Sequence, residues 1–137
     1  MNDLERFLEA QENDYAIALA EIKRGAKRSH WMWYVFPQIA GLGFSSTSKF
    51  YAIKDRKEAK EFLQHPVLGK RLVEISNVLL AVEGKSAHQI FGSPDDVKLK
   101  SSMTLFGALE ETNPVFQEVL NKYYDDERDL KTLELFG

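Results

Sequence analysis

The sequence predicts an all-α fold: one compact domain of about six to eight short helices over residues 1–137. Three observations lead there. Apolar side chains recur at steps of three and four, the spacing that lines one face of a helix. Proline opens a helical pattern at Pro66, Pro94 and Pro114, where its fixed φ and missing N–H cost little. No stretch alternates apolar and polar residues, and the one strand candidate, Phe50–Ile53, is too short to build a sheet alone.

Taken in order, Leu4, Phe7, Leu8, Tyr15, Ala18, Leu19 and Ile22 form the first apolar stripe, with Gln11 on the same face. Asn13-Asp14 is expected to break this pattern into a short helix and a longer one, and Gly25 to close the second. An aromatic segment follows and ends at Pro37, which pushes Phe36 away from helical geometry. Residues 39–48, IAGLGFSSTS, read as a surface loop, with a mobile lid as one role open to it. Asp55 and Glu58 have capping-box spacing before a helix that carries Ala59, Phe62 and Leu63. From Pro66 a helix presents Leu68, Leu72, Ile75, Leu79 and Val82, and Gly84 ends it. Ser86 caps one turn through Phe91. Ser93-Pro94 starts the next helix, with Asp95 and Asp96 in its first turn, where they favour the positive end of the helix dipole. Thr112-Asn113-Pro114 precedes a helix over Val115–Tyr124, and Asp129 caps a last one through Leu135.

Composition narrows the function classes. The apolar fraction of 44% and charged fraction of 28% are those of an ordinary soluble globular protein. A chain this long buries roughly two thirds of its unfolded surface. Eighteen basic and twenty-one acidic residues give a net charge of −3, which argues against a dedicated nucleic-acid or membrane-surface binder. The chain has no cysteine, which removes disulfides, thiol nucleophiles, thiolate metal sites and iron–sulfur clusters. No apolar run approaches a membrane span, and MNDLERFLEA has no signal-peptide form, so the expected location is the cytoplasm. The spacing of His30, His65 and His88 makes no metal-ligand pattern; neither metal nor cofactor is expected.

Local rules are broken in two places. In Lys27–Gln38, KRSHWMWYVFPQ, the rings of His30, Trp31, Trp33, Tyr34 and Phe36 fall within seven positions. A core needs apolar bulk but not this density of ring N–H and O–H donors, each of which needs a partner once buried. His30 is either a general acid or ligand donor, or a ring stacked on a tryptophan that bonds a backbone carbonyl. Trp31 and Trp33 either stack on a planar ligand or belong to the core. Gln38, beside the rigid Pro37, is a fixed donor–acceptor. The second place is Gly92–Phe106, GSPDDVKLKSSMTLF. On a helix Asp95, Lys98, Ser102 and Phe106 share a face, with Ser101 one residue round. Paired serines are poor mid-helix residues, so something other than propensity placed them there. Asp95 and Asp96 are a base pair, a ribose-hydroxyl acceptor or a plain complement to the helix dipole. No GxSxG elbow occurs, and GLGF at 41–44 lacks the third glycine and the preceding strand of a dinucleotide loop.

The runs AQ at 10–11, SHWMWYVFPQIAGLG at 29–43, HPVLGKRL at 65–72 and FGSPDDVKLKSSMTLF at 91–106 resemble, in order and spacing, the family called domain of unknown function 1810. The resemblance covers essentially the whole chain. It implies an all-α domain of prokaryotic and fungal type and carries no established activity. In segment order and in its Trp, Lys and acidic positions the chain is also similar to the NADAR domain, which removes ADP-ribose from nucleobases. That similarity does not align residue by residue, and no catalytic position is carried over.

The expected function is binding of a nucleotide-like or ADP-ribose-like small molecule in a polar–aromatic pocket, with hydrolysis of an N-glycosidic or related bond as the candidate reaction. Trp31 and Trp33 would stack on the planar group, Ser29 and Gln38 read its edge, and Arg28 and Lys98 offset phosphate charge. Ser101 and Ser102 add hydroxyls. Asp95 or Asp96 would serve as base and His30 as acid. The rival is a protein-interaction module with an exposed aromatic patch. Both segments should then meet in space, with His30 or Gln38 within reach of Asp95, Lys98 or Ser102.

Overall fold

A computed structural model describes residues 4–137. Among the described residues it contains nine helices and no sheet: α1 (Glu5–Lys23), α2 (Met32–Val35), α3 (Ser46–Phe50), α4 (Arg56–Gln64), α5 (Leu68–Ala81), α6 (Ala87–Phe91), α7 (Asp95–Gly107), α8 (Val115–Tyr124) and α9 (Leu130–Phe136). The count exceeds the expected six to eight because single turns at α2, α3 and α6 each form a separate element.

The α1 helix runs unbroken through Asn13-Asp14, contrary to expectation. Its buried face packs on α5 and α2, and Asp14 accepts a hydrogen bond from Tyr34 Oη, so tertiary contact outweighs local propensity. Gly25, at φ 72°, closes it. Gln11 is buried on the apolar stripe, where its amide donates to the Tyr34 carbonyl at 2.7 Å. The Phe50–Ile53 strand candidate reduces to a single parallel bridge between Ile39 and Ile53. In that bridge Ala40 N–H donates to Ile53 O, and Ile53 N–H to Gln38 O, each at 2.8 Å. Residues 39–48 are not wholly loop, because Ser45 caps the α3 turn through Ser48 N–H.

Four caps carry the remaining element boundaries. Asp55 accepts Glu58 N–H at 2.9 Å and starts α4, while Glu58 turns to Lys54 N–H and Arg6. His65 Nδ1 accepts from Val67 and Leu68 N–H, so α5 begins two residues beyond Pro66. Ser86 and Gln89 form a reciprocal capping box on α6. Asp129 accepts Thr132 N–H and starts α9.

Leu68, Leu72, Ile75 and Leu79 face a core shared with Phe7, Phe62, Phe106 and Phe116. The α4–α5 corner is tight: a Cβ at Gly69 would lie 1.8 Å from the Leu63 carbonyl oxygen, so only glycine permits this approach. No helix of the described residues is long and apolar enough to cross a membrane.

Candidate functional site

The aromatic segment is held from below by Glu21. This carboxylate is 3% exposed and stands on the apolar face of α1. It accepts Arg28 N–H at 2.9 Å, Ser29 N–H at 3.1 Å, Ser29 Oγ at 2.6 Å and Trp31 Nε1 at 2.8 Å. Burial alone would raise its pKa. The four donors outweigh that and hold it at about 2, so it is a fixed anion around which residues 28–31 are folded.

Consequently Trp31 is a core residue, 1% exposed and spent on Glu21. It does not form the stacking platform expected of it. Ser29 is occupied in the same way, and Arg28 is exposed, with its backbone tied to Glu21. His30 is exposed; its carbonyl accepts from Tyr34 Oη at 3.1 Å, and it is not among the residues that line the cleft described next.

Trp33 is the ring left available. It stands half-buried at the meeting point of several hollows. A cleft of about 380 Å³ runs between Trp33 and Gln38 on one side and Pro94, Val97 and Lys98 on the other, with Phe44, Ser45 and Ser48 along its rim. The two unusual segments therefore converge. Lys98 Nζ lies 4.8 Å from the centroid of the Trp33 ring, within cation–π range. Asp95 sits behind it, 3.6 Å from Lys98 Nζ and 2.8 Å from Lys27 Nζ. A smaller, more enclosed hollow of about 110 Å³ continues past Gln38 to Gly41, Gly43, Ser48 and Lys49.

The other candidates serve the fold. Asp96 accepts Val97 N–H at 2.9 Å and lies 3.3 Å from His88 Nδ1. Ser101 donates to Val97 O and to Asp129 Oδ2, while Thr104 accepts Asp129 N–H; these hydroxyls dock α9 on α7, which explains polar residues in mid-helix. Ser102 is buried, its hydroxyl without a partner among the described residues. Neither serine lines the cleft. Glu21 was missed although an acid on an apolar stripe is a signal in its own right. Lys49 and Phe44 had no signal beyond their loop. No cluster of His, Asp and Glu able to hold a metal occurs among the described residues.

Residues 1–136 match the family model described as protein of unknown function (DUF1810). The chain belongs to the DUF1810 family. A solved structure similar to this DUF1810 protein is that of the conserved hypothetical protein Rv1873 from Mycobacterium tuberculosis, 46% identical, with a TM-score of 0.96 over 98% of this chain and 96% of that one. No curated protein sequence matches the chain significantly.

Proposed function

We propose that this DUF1810 protein binds a planar, anionic small molecule of the nucleotide type in the cleft over Trp33. One observation carries the reading. In a chain of net charge −3, the charged residues lining the cleft and its continuation are Lys98 and Lys49, with no carboxylate among them. An accessible indole beside an amide and two ammonium groups suits a base attached to an anion. Trp33 would stack on the base and Gln38 would read its edge. Lys98, aimed over the ring by Asp95, would meet negative charge. A cytoplasmic location fits the same reading.

The geometry favours binding over hydrolysis. Asp95 is engaged by two lysines, Asp96 by His88 and its own helix, and His30 stands off the cleft, so no acid–base pair faces a ligand there. A second reading rests on Phe44, 86% exposed at the cleft rim near Val97 at 56%: an aromatic patch of this kind also suits a protein partner. A thermal-shift screen of nucleosides, nucleotides and ADP-ribose derivatives separates the two, since a ligand that binds the folded state raises Tm by mass action. Nucleotides are expected to raise the Tm of the wild-type protein and not that of Trp33→Ala. A screen in which none does so overturns the nucleotide reading and leaves the patch.

A further inference from the structure

The enclosed hollow beyond Gln38 differs in chemistry from the open cleft. Gly41 and Gly43 line it, and a glycine can offer only backbone atoms to a cavity wall. The N–H groups of these two glycines have no hydrogen-bond partner among the described residues. Glycine is required at both lining positions. Gly41 has φ +106°, and a Cβ on Gly43 would lie 2.4 Å from Ser48 Oγ. That close approach brings the loop backbone against the α3 turn that carries Ser48 and Lys49.

The two lysines also differ. Lys98 is partly neutralised by Asp95, whereas Lys49 Nζ makes no ion pair among the described residues. Unpartnered backbone N–H groups together with an unpaired ammonium are what a tetrahedral oxyanion needs. The space of about 110 Å³ is ample for a phosphoryl group.

We infer that Gly41, Gly43 and Lys49 form a phosphate subsite continuing the Trp33 cleft, so that the ligand is a nucleoside phosphate lying with its base on Trp33 and its phosphate past Gln38. This rests on the nucleotide reading above. The subsite recognises the phosphoryl group itself, whether terminal or part of a diphosphate bridge.

Calorimetric titration with adenosine, AMP and ADP tests it on wild type, Lys49→Gln and Lys98→Gln. ADP is expected to bind wild type at least ~10-fold more tightly than adenosine, as charge-assisted hydrogen bonds to a phosphate allow. Lys49→Gln should remove that advantage and leave adenosine binding unchanged. In the wild-type protein, ADP but not adenosine should shift the backbone amide resonances of Gly41 and Gly43. Adenosine binding with no phosphate advantage overturns the subsite and leaves the Trp33 reading standing. An advantage that survives Lys49→Gln, or is lost only in Lys98→Gln, overturns it as well. Failure of all three compounds to bind overturns the nucleotide reading and the subsite with it.

Discussion

Glu21 shows how one side chain sets the role of its neighbours. Its four accepted hydrogen bonds turn Trp31 and Ser29 inward and leave Trp33 at the surface. A glutamine cannot accept from all of these donors, so Glu21→Gln should destabilise the protein by about 1–3 kcal/mol at neutral pH, measured by urea unfolding. A loss under ~0.5 kcal/mol, the size of an ordinary surface change, would remove Glu21 from this role. The pH dependence has a definite sign. The folded carboxyl titrates at about 2 and the unfolded one near its ordinary 4.5. Its stabilisation is therefore complete above pH 4.5 and declines as the pH falls from there toward 2. The wild-type advantage over Glu21→Gln should shrink across that interval. The density of rings in residues 30–36 was legible in the sequence. Which ring would face solvent was not, because that depended on a carboxylate one element earlier.

The helical elements were largely legible, since periodicity and caps act locally. The α5 face of Leu68, Leu72, Ile75 and Leu79 is buried as its spacing requires. Leu72→Ala should cost about 2–5 kcal/mol as a core truncation, read as a lower denaturation midpoint at unchanged m-value. A change below ~0.5 kcal/mol would show that the face is not core. Misreadings arose where a distant contact outweighed a local preference. Asn13-Asp14 looked like a break, yet Tyr34 and the packing of α2 and α5 keep α1 continuous. Ser101 looked like part of a ligand site because paired hydroxyls disfavour helix interiors. Its partner, Asp129, caps the last helix, 28 residues away, beyond the reach of any local pattern.

At the scale of the molecule, both unusual segments meet at one cleft, and a net-negative chain places lysines along it. The expected reason for the meeting, a supply of partners for the buried ring donors, does not hold, because Trp31 and Tyr34 are satisfied by Glu21 and Asp14 of α1. The lining by Phe44, Ser48 and Lys49 was not legible, because residues 39–48 carry no periodicity. The Ile39–Ile53 bridge has a further consequence. It cinches the intervening chain at its neck, and Arg6 grips the same neck through the carbonyls of Phe50 and Ala52 at 2.8 and 2.9 Å. The segment is thus an exposed excursion held at its neck and resting on the helical body through Leu42, and it is expected to open more readily than the buried helices. Native-state hydrogen exchange should divide accordingly, with amides of residues 41–50 exchanging through small local openings and those of α5 and α7 only through global unfolding. Uniform slow exchange across both would show that the excursion and the body are one cooperative unit. With the neck closed, ordering the excursion around a ligand carries only the entropy of a short tethered loop, and a ligand seated there would slow exchange in it alone.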